Sequence, residues 1–288
     1  MNVVLVDLET GEILENFRGK TLKTIKQQRE YLVKYNDILT NNKYGDFVWC
    51  LYDISKEYLP NIKPQNIARM MYIVSYLGYD GYLVYSNGRT ITKQGIYKRL
   101  GISRTQADEF YNEMTTNNIF IEQNDKIYIN SCYFCKGSIN KIKKHNKNIT
   151  RLYVSNVKEI YESIPIALHK HMGYIFKVIP FVNRRYNILC KNPTESTYEN
   201  IQPISLNEFC NIVNYAEKHK KTIITKLCNE FYINRQHVIN FIHHESKRKN
   251  MHQRCIIINP KIYYSSDDWD TIDNIGKFFT CYDSEDDF

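Results

Sequence analysis

Arg104, Thr105 and Gln106 follow Ser103, a residue suited to cap a helix, so they occupy the first turn of that helix. Arginine and glutamine there have the reach and donor geometry to pair, through two hydrogen bonds each, with guanine and adenine edges in a major groove. A second group, Lys220, Lys221, Thr222, Thr225 and Lys226, recurs at helical spacing, and its three lysines point to phosphate contact more than to base readout. Lys247, Arg248, Lys249 and Arg254 crowd one polar loop, and Lys141, Lys143, Lys144 and Lys147 lie in a stretch, residues 136 to 151, that has no acid. These groups read as phosphate contacts, and the acid-free stretch could equally track a minor groove. The alternative for each is a solvated face, and for the helices a protein-interaction surface.

Catalytic and metal chemistry fit less well. Arg18-Gly19-Lys20-Thr21 ends like a phosphate-binding loop, but Leu14 stands where such a loop needs glycine. His169-Lys170-His171 has two histidines and no placed third ligand, and Cys132 and Cys135 lack a second cysteine pair, so they read as buried strand cysteines. His237, His243, His244 and His252 read as decoration of a hairpin. No nucleophile, base and orienting group can be assembled. The expectation is a non-enzyme without cofactor or metal.

The elements that must position these residues are short. Thr92 can cap a helix from Lys93 to Leu100 with Ile96, Tyr97 and Leu100 inward, and Gly101-Ile102 makes a tight turn. A second helix follows from Arg104 to about Thr116, then two strands around Glu122-Gln123-Asn124-Asp125. Two helices joined by a glycine turn and followed by a hairpin make a winged helix. A later stretch repeats the order: a helix from Ser205 to about Ala216, a helix from Lys220 to Phe231, and strands 238–242 and 255–258 around residues 245–254.

The two runs also begin and end alike. Leu51-Tyr52 resembles Leu152-Tyr153, and Ile129-Asn130 through Phe134 aligns without a gap on Ile258-Asn259 through Tyr263. Each has a long apolar helix, about 64–77 in the first and 165–182 in the second. A diverged internal duplication accounts for this. The expected organisation is an N-terminal hairpin and helix (1–45), a first winged helix (46–137), a basic connector (138–151), a second winged helix (152–264) and an acidic tail (265–288). The fold class is then α+β, mostly helical, with tandem winged helix-turn-helix units.

The stretch Ile91 to Gln106, followed by Ile127-Tyr128-Ile129-Asn130 and Cys135-Lys136-Gly137, resembles the winged-helix replication initiator proteins of Firmicute plasmids and phages. Those are related to multiple-antibiotic-resistance-type regulators. Ser131 departs from the usual proline, whereas the second run keeps Pro260 but has Ser265-Ser266 for the Lys-Gly. The resemblance covers about 75 residues of each run. It implies sequence-specific binding of double-stranded DNA, in replication initiation or transcription regulation, by a monomer acting as a pseudo-dimer or by a homodimer. The alternative is a protein-interaction module, such as a phage factor acting on a host polymerase or defence complex.

Composition agrees. The chain has 288 residues, 43% hydrophobic and 24% charged, enough for a core. Net charge is +8, with −7 in residues 265 to 288 and therefore +15 before them. A basic body with an acidic end suits a protein that binds a polyanion. The tail closes as Asp283-Ser284-Glu285-Asp286-Asp287-Phe288 and resembles the tips of single-strand-binding proteins, so Phe288 is a candidate contact to a replication or transcription protein. The scattered cysteines, the acids near the start and the lack of long apolar runs set the expectation of a soluble, cytoplasmic protein away from membranes.

Overall fold

The computed structural model describes residues 4–6, 13–16, 44–137, 149–246, 251–266 and 268–279. The chain forms two compact units, Met1–Lys43 and Tyr44–Phe288. In the first, β1 (Val4–Val6) pairs antiparallel with β2 (Ile13–Asn16), as the apolar runs flanking Gly11 predict. The helix expected to follow this hairpin within residues 1–45 lies outside the described residues.

The second unit is mixed α+β with small antiparallel sheets. It runs β3 (Phe47–Leu51), α1 (Tyr52–Tyr58), α2 (Pro64–Val74), α3 (Lys93–Leu100), α4 (Arg104–Thr116), β4 (Phe120–Gln123), β5 (Lys126–Ile129) and β6 (Phe134–Cys135). The order then recurs as β7 (Ile149–Tyr153), α5 (Val154–Ser163), α6 (His169–Lys177), α7 (Leu206–Val213), α8 (Lys220–Asn229), β8 (Tyr232–Ile233), β9 (Gln236–His237), β10 (Ile239–Ser246), β11 (Met251–Ile258) and β12 (Tyr263–Tyr264). A last helix, α9 (Trp269–Gly276), packs Ile272 and Ile275 into a small cluster with Ile242, Ile257 and Tyr264. Among the described residues no helix is long and apolar enough to cross a membrane.

The hydrogen bonds repeat with the elements. Asn130 N donates to Ile119 O and its Nδ2 to Asn118 O, while Asn259 N donates to Val238 O and its Nδ2 to His237 O. Ile129 N reaches Gly81 O, and Ile258 N reaches Asn187 O. Gly81 and Asn187 both have positive φ, 84° and 52°, the conformation glycine and asparagine tolerate best. Leu83 N and Leu189 N bond Ile127 O and Ile256 O in the same way. Both copies thus hang a short bridge on the hairpin that follows their helix pair.

The copies share one four-stranded sheet, ordered β12-β7-β3-β6. Trp49 pairs with Arg151, with Val48 opposite Leu152 and Cys50 opposite Thr150. Outside that pair, Cys50 faces Phe134 and Leu152 faces Tyr263. The arrangement is a pseudo-two-fold centred on Trp49 and Arg151. It shifts the sequence comparison by one residue: Leu51 corresponds to Tyr153, since their N–H groups bond Tyr133 O and Ile262 O and each precedes a helix. Lys56-Glu57 then falls on Lys158-Glu159.

Four further expectations are corrected. The apolar run 165–182 is a 3-10 turn (Ile166–Leu168), α6 and a second 3-10 turn (Ile179–Phe181), because Pro180 has no N–H to continue the helix. The apolar run from Pro64 is helical only to Val74, where Ser75 Oγ bonds Tyr72 O. Cys132 is exposed in a turn and Cys135 only half-buried, whereas Cys50, Cys190, Cys210 and Cys255 are buried. The strands of the second hairpin run further into the loop than expected, to Ser246 and back from Met251.

Where α2 crosses α6, the rings of Tyr72 and Tyr161 stack at 4.0 Å and His169 stacks on Tyr161 at 4.4 Å. His169 is a packing residue here, 2% exposed. Burial, assisted by Arg69, pushes its imidazole down to about 4. The folded protein therefore binds fewer protons than the unfolded chain between that value and the ordinary histidine range. Stability is complete above about pH 6.5 and falls as the pH drops toward 4. We expect about 2 kcal/mol of loss between pH 7 and pH 5 in urea denaturation, and a markedly flatter dependence in His169→Gln. His171, also pushed down by burial and by Lys226, contributes in the same sense. An identical slope in the variant would show that His169 does not set it.

Candidate nucleic-acid interface

The first helix pair is built as its caps dictate. Thr92 Oγ1 accepts from Gly95 N, and Ser103 Oγ accepts from Gln106 N at 3.4 Å. Gly101 takes a left-handed φ of 64°, which lets α4 leave α3 at once. Ala107, Phe110, Tyr111 and Met114 are buried, so Arg104, Thr105 and Gln106 are left outward on the first turn, all exposed. Arg104 is 84% exposed, and its Nε lies 3.9 Å from Asp108 Oδ2. Asp108 also accepts from the Tyr97 hydroxyl, which burial and that hydrogen bond push up to about 12.

The hairpin β4–β5 turns at Asn124 and Asp125, both at positive φ, as a two-residue turn requires. The Tyr111 hydroxyl donates to Glu122, and Lys93 Nζ sits 4.4 Å over the Tyr111 ring. Hairpin, α3 and α4 are thereby tied around a groove of about 550 Å³.

In the second copy Ser205 and Glu208 form a reciprocal capping box, and Asn214 ends α7 with φ 56°. Ile223 and Leu227 anchor α8, leaving Lys221, Thr222, Thr225 and Lys226 exposed. Lys220 is not equally outward: it is half-buried and donates to Asn207 Oδ1 at 2.7 Å. A hairpin the sequence reading missed, β8–β9, sits between α8 and β10. Its signal was Asn234-Arg235, which take φ 48° and 63°. Arg254 on β11 is exposed, with its guanidinium 4.0 Å over the Phe241 ring.

Lys141, Lys143, Lys144, Lys147, Lys247, Arg248, Lys249 and Phe288 lie outside the described residues. The two copies differ in charge. Residues 46–137 hold ten basic and nine acidic residues, whereas 152–264 hold sixteen basic and eight acidic. The first hairpin even carries Glu122 and Asp125. Among the described residues no group of three or more histidine, cysteine or acidic side chains could hold a metal ion.

Comparison with family models, with curated proteins and with solved structures finds no match to this chain.

Proposed function

We propose that the chain binds double-stranded DNA sequence-specifically, using two unequal winged helices, as a replication initiator or transcription regulator of a phage or plasmid. The observation that carries this reading is the twice-built order of capped helix, connection, second helix with a polar outer face, and hairpin. In such a unit the second helix enters the major groove and the hairpin flanks it. The pseudo-two-fold of the shared sheet favours a monomer acting as a pseudo-dimer on a long, imperfectly symmetric site.

The charge difference between the copies divides the labour. The near-neutral first copy offers Arg104 and Gln106 for base edges, where discrimination is gained. The strongly basic second copy offers Lys221, Lys226 and Arg254 for phosphates, where affinity is gained. The acidic first hairpin favours a second reading in one respect: that hairpin is better suited to touch a basic protein than a phosphate.

The test is a gel shift with fragments of the encoding replicon, followed by point changes in the bound site. Gln106→Ala is expected to lose about 1–3 kcal/mol of discrimination at one base pair and to leave other sequences nearly unaffected. Equal weakening on every fragment removes Gln106 as a base reader. Salt-insensitive failure to bind any fragment overturns the proposal and leaves the protein-interaction reading.

A further inference from the structure

Three cations that no reading helix uses, Arg99, Lys136 and Lys158, lie near one another, and Lys136 lies at the most exposed large aromatic among the described residues. Tyr79, 74% exposed, sits in the turn after α2, and Lys136 Nζ lies 5.2 Å from its ring centre. Lys158, on α5, places Nζ 3.7 Å over the neighbouring Tyr76 ring. Arg99, in the last turn of α3, lies 5.3 Å from the same ring and 5.2 Å from Tyr85. The group thus draws on both copies of the repeat.

Its charges are not balanced. Burial lowers the proton affinity of Lys158 and Glu162 raises it in part, while Lys136 and Arg99 lower it further, so the three cations repel one another. The acids facing them are Asp46, 3.8 Å from Lys136, and Glu162, which also accepts from the Tyr72 hydroxyl at 2.7 Å. An anion placed there relieves the repulsion, and the open Tyr79 ring offers a flat apolar face beside it. Cations around an accessible aromatic face are what a nucleotide with an unpaired base needs: phosphate to the cations, base on the ring. An acidic peptide would use the charge but leave the ring idle.

We propose that Tyr79, Lys136, Lys158 and Arg99 form a site for single-stranded nucleic acid, with a base stacked on Tyr79 and its phosphate held by the cations. This rests on the reading of the chain as a nucleic-acid binder but not on the duplex-reading helices. The site shares no residue with Arg104 and Gln106, so a strand opened near a duplex site could be held by the same molecule.

The experiment is fluorescence anisotropy with a labelled oligothymidylate about 12 nucleotides long, run beside a duplex titration. Tyr79→Ala is expected to weaken oligonucleotide binding about tenfold and Tyr79→Trp to restore it. Lys158→Gln should make the salt slope shallower by about 0.7, the value of one single-strand phosphate. Duplex affinity should stay unchanged in Tyr79→Ala, whose exposed ring supports no core. Three results overturn the proposal: no oligonucleotide binding, equal loss on oligonucleotide and duplex, or displacement of the oligonucleotide by polyglutamate as readily as by unlabelled strand. Failure of the duplex titration alone instead overturns the proposed function and leaves this site standing.

Discussion

Gly173→Ala is expected to cost about 3 kcal/mol or more, the largest effect of a methyl group added at any of the described glycines. A Cβ at that position would lie 1.7 Å from Pro64 O and 2.4 Å from Pro64 C. Both are backbone atoms at the first turn of α2, so no side chain can swing aside. Relief requires α2 and α6 to separate. That would loosen Met70 and Met71 on one helix and Met172 and Phe176 on the other, all fully buried. It would also part the ring stack of Tyr72, Tyr161 and His169. Thermal melting should show a drop of several degrees, since each kcal/mol shifts a chain of this size by about 2–4 °C. Gly276→Ala is the control: it lies in α9 with no atom within 4 Å of the added carbon, so helix propensity predicts no loss or a small gain. Equal melting temperatures for Gly173→Ala and wild type would show that the two helices can separate without loss.

The elements that announced themselves were those whose signals are local. Thr92, Gly101 and Ser103 mark helix ends within three or four residues of the atoms they bond, and both helices run over the expected ranges. The hairpin after α4 follows from alternation around Asn124-Asp125 for the same reason. The shared sheet gave no such sign. β6 and β12 are two residues long and are strands only because β3 and β7 lie beside them. Similarly, nothing local separates Lys220 from Lys221; the difference is Asn207, one helix earlier in the chain. The Tyr79 cluster was invisible too, because Arg99, Lys136 and Lys158 are far apart in sequence and meet only after both copies have packed. Periodicity sees one element at a time, and a site assembled from several elements must wait for their packing.

The combined variant Lys221→Ala with Lys226→Ala is expected to bind duplex DNA about 100-fold more weakly near 0.1 M salt. Each lysine that neutralises a phosphate releases about 0.9 of a condensed cation, so two lost contacts make the salt slope shallower by about two. Both side chains are exposed on α8, and Ile223 and Leu227, which hold the helix, are untouched. The fold should therefore survive, which a melting curve checks. Lys226 also lies close enough to His171 to lower its proton affinity, so its removal should raise that histidine's pKa whether or not DNA is present. This gives a readout in the free protein that the variant is made as intended. The loss should fall alike on all sequences, because phosphates carry no base identity. It should be smaller on raising the salt, where wild type has already lost the same contacts to screening. Arg104→Ala provides the contrast. Its effect should concentrate on particular base pairs, because in the proposed mode the exposed Arg104 pairs with a base edge, whereas the lysines meet only phosphates. If the double lysine variant binds every duplex as tightly as wild type, α8 does not touch DNA. The second copy then serves only to hold the first through their common sheet, and a single reader must account for all affinity.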